Sequence, residues 1–205
     1  MPRIGAIILA AGLSRRMGEA KQFLPVNGKP LFRHAVDRAI VNGLSPVLLI
    51  GGEHVERLRQ LTGDEPRVEV LVNPSYATGM ASSLRTGIEA AAGRVDAALV
   101  FLADQPYVPN EVVQALIRTY EENWKRGIRI VRPVYGEAAG HPVLFDASLF
   151  GELARVAGDR GGKEVVEKYK AQTQNVPFSC ARWNLDIDTP EEYRQLQQAI
   201  RHRPE

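Results

Sequence analysis

Apolar residues along the chain alternate between two patterns. Short continuous runs of buried-strand length give way to stretches in which apolar positions recur every three or four residues, the period of a helix buried on one face. The first run, Ile4 to Leu9, predicts a strand. After the Asn27-Gly28 turn signal, Pro30 opens a helix whose stripe (Leu31, His34, Ala35, Arg38, Ala39, Val41) stops at Asn42-Gly43. Pro46 to Ile50 predicts a second strand, ended by Gly51-Gly52, and Glu53 to Leu61 a second helix. Val68 to Val72 is a third strand closed by Asn73-Pro74, and Ser75 to Arg85 enters a helix continuing to about Ala92. Asp96 to Leu102 is the most apolar strand, followed by a helix over Asn110 to Lys125. Strands alternating with helices in this way call for a parallel sheet covered on both faces.

From Arg129 onward the rhythm breaks. Arg129 to Pro133 and Pro142 to Phe145 read as strands, Ala147 to Ala154 as a helix, and Gly158-Asp159-Arg160-Gly161-Gly162 as a polar loop opening into a helix over Lys163 to Tyr169. Val176 to Ala181 reads as an edge strand. Thr189 before Pro190, with Glu192 three residues on, is a capping box that starts a last helix. This portion is expected to add a mixed, partly antiparallel region forming the other side of a cleft.

Composition narrows the class without changing the fold. With 205 residues, 44% hydrophobic and 24% charged, the chain suits one domain with a sizeable core. A net charge of +2 disfavours a nucleic-acid coat protein but leaves room for a local basic pocket. The longest apolar stretches, such as Ala97 to Ala103, fall short of a bilayer span, so no membrane partner is expected. Gly5 and Arg15-Arg16-Met17 fit a secretory signal poorly, which places the chain in the cytoplasm. Cys180, the single cysteine, reads as a small packed residue, and the four histidines have no zinc-ligand spacing.

Candidate chemistry concentrates where predicted strands end. After Leu9 come Ala10, Ala11 and Gly12, whose small side chains leave backbone amides open to a phosphate, then Ser14, Arg15, Arg16 and Lys21, which can supply hydroxyl and countercharge. The segment is neither Gly-x-Gly-x-x-Gly nor Gly-x-x-x-x-Gly-Lys-[Ser/Thr], so a phosphate loop here is of another kind. Ser82 and Ser83 either touch a ligand at a helix N-terminus or cap that helix. Asp104 stands at the carboxyl end of the most apolar strand, where it is either a magnesium ligand or a turn residue. His141, beside Gly140 at a strand entry, either contacts an acceptor substrate or is satisfied within its loop. Asp186 and Asp188 alternate and share a face on extended backbone, where they repel unless a cation or basic partner intervenes.

Leu9 to Lys21 resembles the signature loop of sugar-phosphate and cofactor nucleotidyltransferases, which have a Rossmann-like α/β fold. Asn73-Pro74, Gly79-Met80-Ala81-Ser82-Ser83-Leu84, Asp104-Gln105-Pro106, Gly140-His141-Pro142, Gly158-Asp159-Arg160-Gly161 and Asp186-Ile187-Asp188-Thr189-Pro190 are similar to the molybdenum cofactor cytidylyltransferase branch. The resemblance implies one domain with a mostly parallel sheet, about 1–125 binding nucleotide and about 126–200 binding the acceptor and completing the metal site. It implies CMP transfer from CTP to a molybdopterin-type cofactor with Mg2+, release of pyrophosphate, and a client molybdoenzyme as a possible partner. It assigns Arg16, Lys21 and Asp104 to catalysis. Leu9, Ala10, Ala11, Gly12, Ser14, Arg15, Asn73 and Ser83 join them in holding nucleotide. Gln105, Pro106, Gly140, His141 and Asp159 fall to the acceptor, and Asp104 with Asp186 and Asp188 to the metal. Lys21-Gln22-Phe23-Leu24-Pro25 also resembles the methylerythritol phosphate cytidylyltransferases, whereas Ala10-Ala11-Gly12 replaces the Ala-Gly-Gly typical of guanylyltransferases for the same cofactor. Another NTP, another acceptor, or a non-catalytic cofactor carrier remain the alternatives.

Overall fold

The computed structural model describes residues 1–14, 17–158 and 160–201. The expectations for Arg15, Arg16 and Asp159 therefore lie outside the described residues. The first half runs β1 (Ile4–Leu9), β2 (Pro25–Val26), β3 (Lys29–Pro30), α1 (Leu31–Val41), β4 (Val47–Gly51), α2 (Val55–Thr62) and β5 (Val68–Val72). It continues through α3 (Met80–Ala91), β6 (Ala97–Leu102) and α4 (Asn110–Asn123). The second half adds β7 (Ile130–Tyr135), β8 (Ala138–Ala139), β9 (Val143–Asp146), α5 (Phe150–Leu153), α6 (Lys163–Lys168), β10 (Thr173–Phe178) and α7 (Pro190–Arg201).

One large sheet has the order β10-β7-β9-β6-β1-β4-β5, with β8 folded back on β7. β1 lies between β4 and β6 and is parallel to both, with Ile7 opposite Leu48 and Val100. β9 alone on that path runs against its neighbours β6 and β7, while β10 is parallel to β7. The expected parallel first half and mixed second half are both present, in a single α/β domain.

Consecutive residues of β1 explain the two-sided cover. Side chains on a strand alternate between faces, so a central strand must be apolar throughout. Ile8 packs with Leu49, Leu99, Phe32 and Val36 of α1, and Val112 and Leu116 of α4. Ile7 packs on the opposite face with Leu48, Leu84 and Ile88 of α3, and Leu153 of α5. Both isoleucines are fully buried. A third, smaller cluster joins Met17, Leu24, Val26, Leu31, Ile187 and Leu196, and so ties the loop after β1 to the Asp186-Asp188 segment and α7.

Local chemistry sets several boundaries. Asn27 and Gly28 have φ of 49° and 76°, as a tight turn between β2 and β3 requires. Thr189 Oγ1 accepts from Glu192 N at 3.2 Å and Glu192 Oε2 accepts from Thr189 N at 2.8 Å, the reciprocal bonds expected at the start of α7. The strand expected over Val176 to Ala181 lies three residues earlier, because β10 takes its register from β7, pairing Val176 with Pro133. The helix expected from Glu53 starts at Val55, after a turn in which Val55 N donates to Gly52 O. The entry to α3 is also interrupted: Tyr76–Thr78 forms a separate tight turn, and Gly79 takes a φ of 114° before Met80. The segment expected as one helix from Ala147 likewise opens with a tight turn, Ala147–Leu149, capped by the Asp146 carboxylate accepting from Ser148 N.

Candidate active site

The C-terminal ends of β1 and β6 lie side by side, with Leu9 opposite Leu102. Ala103 N donates to Leu9 O at 3.2 Å and Ala10 N to Ile50 O at 3.0 Å, so both chains leave the sheet firmly anchored. Between them opens a cleft of about 510 Å3, at the sheet edge where open α/β folds place their ligands. Leu9, Ala10, Ala11, Gly12, Ser14, Lys21, Ser83, Asp104, Asp186 and Asp188 line it together. These residues are spread over most of the chain.

The loop after β1 is shaped by its own polar atoms. Ser14 has φ of 50°, its carbonyl accepts from Met17 N at 2.9 Å, and its Oγ accepts from Lys21 N at 3.0 Å. That bond closes the loop and sets Lys21 at the cleft wall. A Cβ added to Gly12 would meet nothing within 4 Å. Packing therefore does not demand glycine there, and the open space belongs to the cleft.

Lys21 is the electrostatic centre. Its ammonium donates to Asp104 Oδ2 at 2.5 Å and to Asp188 Oδ1 at 2.6 Å. Burial works against the charged lysine, but the Asp104 charge and the hydrogen bonds to Asp104 and Asp188 outweigh it and raise its pKa. Asp186 is pushed up by burial first, then by the charges of Asp104 and Asp188, against the opposing hydrogen bond from Gln105. That bond runs from Gln105 Nε2 to Asp186 Oδ1 at 2.7 Å, and Ile187 N donates to Asp104 O at 3.3 Å. The turn after β6 thus holds the segment that carries both late aspartates.

Among the described residues no three His, Cys, Asp or Glu side chains converge into a cage for an ion. Magnesium does not need one, since it commonly takes one or two carboxylates and fills its shell with water and phosphate oxygens. Asp104 fits that use: its Oδ1 is buried with no hydrogen-bond partner among the described residues. A buried carboxylate oxygen left unpaired is costly unless a ligand completes it.

Other expected site residues have a different place. Asn73 is 2% exposed and does not line the cleft. Its Nδ2 donates to Ser82 Oγ and Ser83 Oγ at 2.8 and 3.0 Å, and its Oδ1 accepts from Ser75 N at 2.9 Å, bracing Ser83 from behind. Gln105, Pro106, Gly140 and His141 also stand outside the lining. A Cβ on Gly140 would fall 2.1 Å from Asn184 Oδ1 and 2.6 Å from the Tyr135 ring, so glycine is required there by packing. Tyr135 OH donates to His141 O at 2.9 Å, and burial lowers the His141 pKa to about 4 despite the attraction of Asp104.

Gln22, Tyr76, Gly79 and Met80 line the cleft without having been assigned a site role. The sequence does carry a signal for Tyr76 in Gly51-Gly52. A Cβ on Gly52 would stand 2.7 Å from Tyr76 Cγ, so the second glycine makes room for that ring.

A family model described as the MobA-like NTP transferase domain matches residues 6–174. The molybdenum cofactor cytidylyltransferase of Escherichia coli K12 is 25% identical over 200 residues, covering 94% of this chain and 95% of that protein. The purine catabolism protein PucB of Bacillus subtilis 168 is 26% identical over 207 residues, covering 97% and 98%. Among solved structures, Rv0371c of Mycobacterium tuberculosis H37Rv superposes with a TM-score of 0.82 at 28% identity, covering 96% of this chain and 98% of its own. Its complex with manganese gives 0.75 at 27% identity, covering 96% and 99%.

Proposed function

The chain belongs to the MobA-like NTP transferase family and is a nucleotidyltransferase; from that premise we propose that it transfers CMP from CTP to the terminal phosphate of a molybdopterin-type cofactor, with Mg2+. The likeness to the cytidylyltransferase over nearly the full length of both chains supports this choice, as does Ala10-Ala11-Gly12 in the loop. The observation that carries it is the meeting of that loop, Lys21 and Asp104 in one cleft at the sheet edge. The client molybdoenzyme, the cytoplasmic location and the division into nucleotide and acceptor halves belong to the same proposal.

In this reading an oxygen of the acceptor's terminal phosphate attacks the α-phosphorus of CTP in line with the departing pyrophosphate. One P–O bond forms to the acceptor as the bond to the β-phosphate oxygen breaks. No covalent enzyme intermediate is needed, so catalysis rests on positioning and on charge. The backbone at Ala10, Ala11 and Gly12 admits the phosphates closely, Ser83 touches the nucleotide, and Lys21 neutralises charge growing on the phosphoryl oxygens. Arg15 and Arg16 add countercharge, with Arg16 as a bidentate donor. From behind the cleft lining, Gln105, Pro106, Gly140 and His141 support the acceptor side, to which Asp159 is also assigned. Asp104, with Asp186 or Asp188, would hold the divalent cation, which supplies charge neutralisation on the triphosphate when bound.

Pyrophosphate release measured with Mg2+, a molybdopterin acceptor and each NTP in turn tests the proposal. CTP is expected to be the preferred nucleotide, and no release with any NTP on an active acceptor would overturn the reading. A cofactor carrier, the competing reading, would bind the acceptor but show no turnover for Asp104→Asn to reduce.

A further inference from the structure

The space between Asp104 and Asp188 is filled by the ammonium of Lys21, at 2.5 and 2.6 Å. Asp104 is four-fifths buried, Lys21 slightly more so, and Asp188 about 60% buried. A lysine ammonium is a compact point charge on a flexible stem. It satisfies one oxygen of Asp104 and leaves Oδ1 buried without a partner among the described residues. Asp186 is engaged through its own Oδ1 by Gln105. The two carboxylates that would take a divalent cation therefore already share one cation of the protein, which neutralises half of their charge.

We propose that Lys21 and the divalent cation compete for the Asp104–Asp188 pair, so that arrival of the cation releases the lysine into the cleft, where its charge becomes available to the phosphates. The inference rests on the functional reading above in taking Asp104 and Asp188 as the metal-binding pair and the cleft as the place of the nucleotide's phosphates. Two physical points support it. Two positive centres cannot share one carboxylate pair cheaply, because repulsion between charges a few ångströms apart in a partly buried site is several times that in water. The lysine can also leave without unfolding the loop, because the loop is closed by the main-chain N of Lys21 on Ser14 Oγ, not by its side chain. The exchange moves the lysine from a carboxylate partner in one state to a phosphate partner in the other. It predicts weak cation binding by the free protein and stronger binding once nucleotide offers the lysine another anion.

Mn2+ binding measured by electron paramagnetic resonance in the absence of nucleotide tests this directly. Lys21→Met is expected to bind Mn2+ about tenfold more tightly than the wild type or better, since one competing charge is gone. Equal or weaker binding by a variant whose circular dichroism and melting match the wild type would overturn the proposal. Where Lys21→Met does not fold, the wild type decides. Addition of Mn2+ alone should increase acetylation of the Lys21 amine by acetic anhydride, read by mass spectrometry, and CTP added afterwards should suppress it. Unchanged Lys21 labelling at saturating Mn2+ would contradict the exchange. Neither readout requires an acceptor or turnover, so failure to transfer CMP would leave this result intact, and the reverse also holds.

Discussion

At the scale of single residues, charge and contact decide what each position does. Asp104 was legible in the sequence as an acidic residue ending the most apolar strand, and the structure puts it against Lys21, 83 positions away. The lysine was legible as a phosphate partner, but its pairing with two carboxylates was not, since that depends on how three distant segments meet. Asp104→Asn is expected to lower kcat/KM by about 10²-fold or more while the protein stays folded, because it removes one charged group at the reacting phosphates. Steady-state kinetics beside a thermal melt check both halves of that expectation. Gly52→Ala places a methyl against the Tyr76 ring. Displacing that wall should raise the KM for nucleotide and cost about 1–3 kcal/mol of stability, as overpacking does; unchanged KM and Tm would remove Tyr76 from the cleft's working surface.

At the scale of elements, hydrophobic period was a sufficient guide where a strand or helix is central, and insufficient at edges. β1 and α1 have the bounds their patterns predict, because burial allows no slippage. β10 departs because an edge strand with exposed Asn175 and Pro177 takes its register from its one partner. Asn73 and Gly140 show the same limit for polar and small residues: their types suit a ligand site equally well, and only packing reveals that one braces Ser83 and the other seats Asn184. Two substitutions probe the elements. Thr189→Ala should cost about 0.5–2 kcal/mol by opening the capping box of α7, read as a lower denaturant midpoint with unchanged slope. In α3, Gly87→Ala sets helix propensity, a gain of about 1 kcal/mol, against a Cβ placed 2.4 Å from Ile7 Cγ2. Ile7 is fully buried and cannot retreat, so overpacking wins and the variant melts lower.

For the whole molecule, the alternation of strands and helices announced the architecture, and the reversed strand β9 supplies the mixed half that the broken rhythm implied. No helix among the described residues is long and apolar enough to cross a membrane. Global stability should depend on pH through its histidines. Burial lowers the pKa of His34 and brings that of His141 to about 4, both below the ordinary value near 6.5. The unfolded chain therefore takes up protons first, so this stability is fully present above about pH 6.5 and declines as the pH falls towards 4. Melts between pH 7.5 and 5 should show that decline, and His141→Gln should flatten it. In the proposed reaction, the α-phosphate of a nucleotide passes to a phosphate acceptor at the Lys21–Asp104 wall of the cleft. Its most direct test follows the label from α-32P-CTP in a reaction with Mg2+ and a molybdopterin acceptor. Transfer of the label into the acceptor, with unlabelled pyrophosphate released and Asp104→Asn nearly inert, is the predicted result; label retained in CTP, or transfer undiminished in Asp104→Asn, would contradict it.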